Sequence, residues 1–369
     1  MGMRVLVVPD KFKGTLTAEQ ASEAMARGWS SARPDDVIEL LPMSDGGDGF
    51  GIVLSSLLNA ETRTTKTVDA AHRPLTAEWW WEPKSATAII EAARVNGLAQ
   101  LPAGKFHPFE LDTFGIGEVL KDAVRAGAKR CVMGIGGSAT NDGGFGVARA
   151  MGWEFFNAKS AALDRWTDLH SLSQIKIPQR DHWFEQFSVA VDVNNPLLGP
   201  TGCTRVYGPQ KGLKETDFEF TERCLGSLAT VAQQELQVST ATEPGAGAAG
   251  GLGFGLRTFL GAKLEPGFEL FSQLANLTLR IENADLVITG EGAIDEQTLM
   301  GKGVGELAAL CRKLNKPCIG LAGVVTDVEK ARQLFTNVHS MVAITSGDEA
   351  KANASKWLNE IARSAAQAV

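Results

Sequence analysis

Short apolar blocks alternate with polar, helix-spaced segments at both ends of the chain. Residues 4–8 form a β-branched run closed by Pro9 and Asp10, which predicts a first strand. Thr17 precedes Ala21, Ala24, Met25 and Gly28, which keep helical spacing, so it is the expected cap of a first helix. Residues 37–41 predict a second strand ended by Pro42, and Asp48 is the expected cap of a helix running through Leu58. The C-terminal stretch repeats the alternation, with strands at 285–289, 318–322 and 338–345 and helices at 304–314, 328–335 and 350–369.

The middle has a different rhythm. Residues 63–69, 78–82 and 87–91 predict a meander of short strands, on which Trp79, Trp80 and Trp81 alternate faces toward a core or an interface. Helices near 115–126 and 144–151 and strands at 131–135 and 188–192 follow, with no internal repeat and no Pro/Gly/Ser linker. The pattern predicts an α/β protein of two α/β domains. A Rossmann-like parallel-sheet domain is formed by both termini (1–61 and 281–369), and a mixed α/β domain is inserted between them (62–280).

Composition narrows the classes. With 369 residues, 44% hydrophobic and 21% charged, the chain can build a full core. A net charge of −7 without a basic stripe argues against a nucleic-acid partner. The five cysteines are scattered with no CxxC pair, and the five histidines form no HExxH, so neither a disulfide frame nor a zinc hydrolase is expected. The apolar run before Pro9 is too short for a signal peptide, and the longest uncharged stretch, 244–256, is mostly Gly and Ala and falls short of a membrane span. A soluble, cytoplasmic protein with no membrane association is expected.

Open α/β sheets bind ligands beyond the carboxyl ends of their strands, and in this chain each predicted strand end is followed by a polar cluster. The largest is the glycine- and hydroxyl-rich stretch 134–144, which has the form of an anion-binding loop before a helix; a tight packing turn would look the same. Gly134, Gly136 and Ala139 also fit a relaxed dinucleotide fingerprint with Glu154 downstream, which makes a dehydrogenase one rival. The stretch from Gly245 to Gly250 matches GxGxxG, but no strand precedes it, and close helix packing explains it better. A P-loop is absent, since Gly301-Lys302 is followed by Gly303 and Glu296 occupies the first glycine position; no protein-kinase HRD or DFG set exists either.

Asp45, Asp48, Asp142, Asp192, Glu291 and Asp295 would each, taken singly, pass for a cap or turn residue. Together with glycine-rich loops and Lys13, Lys211 and Lys302 they make up the inventory of phosphoryl transfer: carboxylates for Mg²⁺ and for the attacking hydroxyl, amides and lysines for phosphate oxygens.

These clusters, in this order, closely resemble those of the bacterial glycerate kinase family, which makes phosphoglycerate from D-glycerate and ATP. The matching segments run from Val8 to Gly14, through Pro42 to Gly47, the 134–144 loop, Asn195-Pro196-Leu197, Gly208-Pro209-Gln210-Lys211-Gly212 and 244–253, to Ile288–Gly292, Asp295 to Thr298 and Gly301-Lys302. The resemblance implies a Mg²⁺- and ATP-dependent kinase working between two α/β domains, with 2-phosphoglycerate the favoured product. It implies Asp45, Asp192 and Glu291 as the carboxylates for metal and hydroxyl, Asp192 being favoured as the base. It implies Gly136, Gly137, Ser138 and Asn141 as the anion loop, and Lys13, Lys211 and Lys302 as cationic partners. Asn195, Gln210, Asp295 and Thr298 complete the expected binding set.

The sequence departs from the family pattern at Lys11, Asn194, Ala293 and Met300, where Ser, Asp and two arginines are common. The loss of one carboxylate and two cations bears on nucleotide affinity and acceptor choice. A kinase for another small hydroxy acid and a non-catalytic ligand-binding protein are the remaining rivals.

Overall fold

The computed structural model describes residues 2–179 and 182–369. Its strands are β1 (Arg4–Pro9), β2 (Val37–Leu40), β3 (Glu61–Val68), β4 (Pro74–Glu82), β5 (Thr87–Glu91), β6 (Arg130–Gly134), β7 (Glu154–Asn157), β8 (Leu172–Lys176), β9 (Gln186–Val191), β10 (Lys263–Pro266), β11 (Leu286–Ile294), β12 (Cys318–Val325) and β13 (Asn337–Ser340). The chain divides into two compact units: Met1–Asp45 with Phe268–Val369, and Gly46–Gly267.

The boundaries therefore lie away from the 61/62 and 280/281 positions expected from sequence. The helix Phe50–Leu58 packs on β4, β5 and β6, which draws it into the second unit. The helix Leu277–Asn283 packs on β1, and its Arg280 pairs with Glu39, which draws this segment into the first.

The first unit is a five-stranded, all-parallel sheet in the order β13-β12-β11-β1-β2. Val5, Val7, Ile288, Ile319 and Leu321 pack with Met25 and Trp29 of the helix Ala18–Ala32 and with Leu358 and Ile361 of the helix Ala354–Gln367. Thr17 caps its helix as the spacing indicated, in a reciprocal box with Gln20. The expected strand 338–345 stops at Ser340, where the chain turns into a short 3₁₀ segment, Met341–Ala343. The expected helix 350–369 is two helices, Gly347–Ala352 and Ala354–Gln367, interrupted at Asn353, whose side chain bonds back to Glu349.

The second unit holds a six-stranded mixed sheet in the order β10-β9-β6-β5-β4-β3 and an antiparallel ribbon of β7 and β8. The four strands from β10 to β5 run parallel, so their carboxyl ends share one edge; β4 and β3 are added antiparallel. Trp79 and Trp81 enter the large core with Ile90, Met133 and Val189, and Trp80 points to the other face, against Gly51 of the helix Phe50–Leu58. The alternation read from the sequence holds, and all three rings are buried.

Asp48 does not cap the helix Phe50–Leu58. The position before the helix is Gly49, in a left-handed conformation, and the cap comes from Glu91 at the end of β5. No helix among the described residues is long and apolar enough to cross a membrane.

Candidate active site

In the first unit the sheet order reverses between β1 and β11, because the chain steps from β1 outward to β2 on one side and onward to β12 and β13 on the other. In open α/β sheets such a reversal is where ligands bind, beyond the carboxyl ends of the strands. Asp10 follows β1 there, its amide bonded to the Gly290 carbonyl at 2.9 Å, and Glu291 is the next residue along β11. The Lys13 backbone lies against Gly292, with its side chain exposed.

This cluster is electrostatically tense. Asp10 is only 8% exposed, and burial together with the Asp45 charge drives its carboxyl well above the usual carboxylate range. Burial likewise pushes Glu291 up to about 7, with Asp10, Asp295 and Asp45 adding repulsion, while a 2.6 Å hydrogen bond from the Thr298 hydroxyl acts in the opposite direction. Glu306 is also pushed to about 7 by burial, then by Glu269 and Asp45. Carboxylates held this close together, with Lys11 only partly offsetting the repulsion on Asp10, form a site that favours added positive charge.

Asp295 has a local task in this arrangement. Its Oδ1 accepts from the amides of Gln297 and Thr298, capping the short helix Glu296–Leu299 that carries Thr298 to Glu291. Lys302 follows that helix and is exposed between Gly301 and Gly303.

In the second unit the loop after β6 is built from the inside. Lys211 is buried, and its Nζ donates to the Thr140 carbonyl oxygen at 2.7 Å and to the Ser138 hydroxyl at 3.3 Å. Ser138 donates in turn to the Ala249 carbonyl at 3.1 Å, and Asn96 donates to Thr140 Oγ1 at 3.2 Å. Lys211, expected as a phosphate partner, thus has its ammonium engaged by the loop itself. Gln210 beside it is exposed.

Asp142 is a clamp. Its carboxylate accepts from Thr113 N, Thr113 Oγ1, Gly144 N and Gly146 N, tying the helix Phe145–Ala150 to the helix Phe114–Arg125. Burial, with Asp112 adding, raises its carboxyl to about 6 against those hydrogen bonds. Asn141 is 1% exposed, and neither its Oδ1 nor its Nδ2 has a hydrogen-bond partner. A buried amide in that state presents an NH₂ donor group and a carbonyl acceptor to a ligand or water. Asp192 follows β9 on the same sheet edge as the loop after β6, with Ala190 in register with Gly134. Asn195 is held in its own loop by Thr201 and Tyr207.

The structure thus brings Asp45, Glu291, Asp295 and Thr298 into one cluster of the first unit. Gly136, Gly137, Ser138, Asn141 and Lys211 form one loop system of the second. The sequence reading passed over Asp10, Glu306 and Glu91 as site residues. Asp10 had a signal, its place directly after the first strand of an open sheet; Glu306 and Glu91 had none, since long-range packing alone puts them where they are.

Two motif readings resolve here. The GxGxxG segment opens the helix Ala248–Leu260, with Ala249, Gly250 and Gly251 in left-handed conformations. Gly250 lies so close to the Thr140 carbonyl that a Cβ there would collide with it, so the segment is a backbone-to-backbone buttress for the loop after β6. Glu154, needed by a dinucleotide fingerprint, sits in the antiparallel ribbon and pairs with Lys176. It does not end a neighbouring parallel strand, which is the position that reads a ribose. The dehydrogenase reading loses its acidic residue.

Comparisons with known proteins agree across the whole chain. The model of the glycerate kinase family matches residues 5–369. A glycerate kinase of Halalkalibacterium halodurans is 38% identical over 86% of this chain and 85% of its own. A glycerate 2-kinase of Escherichia coli is 36% identical over 88% and 86%, and a glycerate kinase of Bacillus subtilis is 34% identical over 100% and 98%. A crystal structure from Salmonella typhimurium LT2 that carries the name glycerate kinase 2 superposes with a TM-score of 0.88 at 32% identity, over 100% of this chain and 98% of that one. With its sequence matched nearly end to end and its fold shared, the chain belongs to the glycerate kinase family.

Proposed function

We propose that this protein is a glycerate kinase that transfers the γ-phosphoryl group of ATP to D-glycerate, with 2-phosphoglycerate as product. The observation that carries the reading is the carboxylate cluster at the strand reversal of the first unit, where Asp10, Asp45 and Glu291 repel one another. Phosphoryl transfer is mostly positioning and charge stabilisation, and it needs that negative cluster for a cation and a loop of amides for phosphate oxygens.

The donor set fits Mg²⁺. It is all oxygen, and among the described residues no three acidic, histidine or cysteine side chains converge as a closed cage. Mg²⁺ takes one or two carboxylates and fills its shell with water and phosphate oxygens. Asp45 and Glu291 are the side chains we assign to hold it. When bound, Mg²⁺ supplies positive charge against the phosphate oxygens.

The chain's own residues do the rest. In this reading the amide of Gly137 receives an anionic oxygen, the Gly136 amide being held by the Gly46 carbonyl, and Asn141 offers its free donor and acceptor to the bound acid. Lys13 and Lys302, both exposed, supply mobile positive charge to the phosphates. Asp192 orients the acceptor hydroxyl and takes its proton.

The test is ADP release from ATP and Mg²⁺ with and without D-glycerate, followed by phosphorus NMR of the product. Glycerate-dependent turnover with a 2-phosphate resonance is expected, and Asp192→Asn should abolish it without unfolding the protein. Turnover only with another hydroxy acid would keep the kinase and discard the substrate. No turnover with any acceptor, with nucleotide still bound, would favour a binding protein.

A further inference from the structure

Glu91 is a buried carboxylate that the reaction described above does not use. It ends β5, is 6% exposed, and accepts two amides of a distant element: Oε1 from Gly49 at 3.1 Å and Oε2 from Gly51 at 3.0 Å. These begin the helix Phe50–Leu58, whose first turn has no side-chain cap of its own because Gly49 has none to offer. Arg94 steadies the carboxylate from behind. Its Nε lies 3.9 Å from Oε2, its guanidinium covers the Trp80 ring at 5.0 Å, and it bonds Glu78 at 2.5 Å.

The segment just before that helix, residues 46–48, lies directly on the loop after β6. Gly136 N donates to the Gly46 carbonyl at 3.2 Å. A Cβ at Gly136 would come within 2.8 Å of the Gly47 Cα, and one at Gly137 would collide with Asp48 Oδ1. Backbone meets backbone at Gly46, Gly47 and Gly136, and the Asp48 carboxylate lies directly on Gly137, so a shift of one loop is transmitted to the other. Glu91 is also tied to the second loop, for it stands in register with Gly134 across β5 and β6, and the Ala92 amide bonds the Gly134 carbonyl at 2.9 Å. One rigid carboxylate therefore holds the helix that carries the lower loop while its own strand carries the upper.

We propose that Glu91 is a positioning residue for phosphoryl transfer. It fixes residues 46–48 beneath residues 134–137, and so fixes the aim of the Gly137 amide, which receives a phosphate oxygen in the kinase reading. The proposal rests on the kinase reading for its effect on turnover, but not for its effect on the loop.

The experiment compares Glu91→Gln with Arg94→Met. Glutamine keeps the volume but turns an NH₂ group toward an amide N–H, whereas Arg94→Met leaves both carboxylate bonds intact and removes only their support. At a temperature where circular dichroism shows both variants folded, Glu91→Gln should lose roughly 10- to 100-fold in kcat. Hydrogen exchange across residues 134–144 should accelerate in Glu91→Gln. Arg94→Met should melt earlier yet keep near-native kcat and native exchange in that loop. Unchanged exchange at 134–144 in Glu91→Gln would overturn the proposal, as would an equal kcat loss in Arg94→Met. If Glu91→Gln does not fold, Glu91→Asp is read by the same two measurements. If the wild type fails to phosphorylate glycerate, the kinase reading falls and the exchange comparison still decides the role of Glu91.

Discussion

The Lys211 ammonium donates to the Thr140 carbonyl oxygen at 2.7 Å, from a buried position inside the loop after β6. A charge so placed organises the loop's shape, since its donors point at the chain's own oxygens. Burial lowers its pKa from 10.5 to about 8, against the opposing influence of Cys203 and Asp142.

From this follows a pH dependence. Below about 8 the ammonium carries three donors and a full charge, and above it the neutral amine keeps only two weaker N–H donors and no charge. The wild-type kcat should therefore fall as pH rises through about 8, and Lys211→Met should be slow at every pH and lack that limb. The linkage to stability has the opposite sense. The folded pKa lies below the unfolded one, so burying the cation costs stability in full below pH 8, and the cost fades as pH climbs toward 10.5. Thermal melts should show the wild type gaining on Lys211→Met across that window.

Two glycine substitutions should have opposite signs. Gly250 has φ +72° and its Cβ would strike the Thr140 carbonyl, so Gly250→Ala should destabilise by about 2–4 kcal/mol and loosen the loop. Gly226 lies inside the helix Glu215–Leu236 with its nearest neighbour, Leu198 Cδ1, at 3.9 Å from a built Cβ. Gly226→Ala should stabilise by about 0.5–1 kcal/mol in urea titration, by lowering the entropy of the unfolded chain.

How far the sequence spoke for itself depends on the range of the interactions. The terminal strands were legible because runs such as Val5 to Val8 are apolar on consecutive positions, the mark of a strand covered on both faces. The cap at Thr17 was legible because its partner Gln20 is three residues away. The cap of the helix Phe50–Leu58 was not, because Glu91 comes from 40 residues beyond Gly51 and only the folded sheet brings it there. The same limit applies to the site. Glycine loops and acidic turns announce themselves locally, whereas the burial that raises Asp10 and Glu291, and the enclosure of Lys211, belong to tertiary structure.

Asp36 offers a stability test away from the chemistry. Its carboxylate accepts from Met3 N at 2.8 Å, Trp29 Nε1 at 2.9 Å and Arg33 Nε at 2.7 Å, joining the start of β1 to the end of the first helix. Desolvation opposes its ionisation, but the bonds from Trp29, Met3 and Arg33 prevail and hold the carboxyl below its ordinary 3.8. Its stabilisation is thus present above pH 3.8 and is lost as pH falls through the lowered folded value. Asp36→Asn should cost about 1–3 kcal/mol in thermal melts at pH 7, and the difference from wild type should shrink under acid.

Magnesium alone should raise the melting temperature, because relieving the repulsion among Asp10, Asp45 and Glu291 favours the folded state. At roughly 100-fold excess over its dissociation constant the gain would be about 2.7 kcal/mol. Glu291→Gln removes one of those charges, so its melting temperature should rise less with added Mg²⁺ and start higher without it. An identical Mg²⁺ response in the two proteins would remove Glu291 from the metal set.

The pairing of β1 with β11 has a consequence for synthesis. Val5 lies in register with Leu286, so the first strand to leave the ribosome waits for a neighbour 281 residues downstream. At typical translation speeds that interval is roughly 15–60 s. The segment Gly46–Gly267 is synthesised within that interval and is finished before Leu286 is reached. During the delay the apolar strand of Val5 to Val8 has β2 on one side and an open edge on the other. A chain halted before Leu286 therefore carries a finished second unit and an unprotected hydrophobic edge, the kind of surface that chaperones hold and that crowded chains aggregate through.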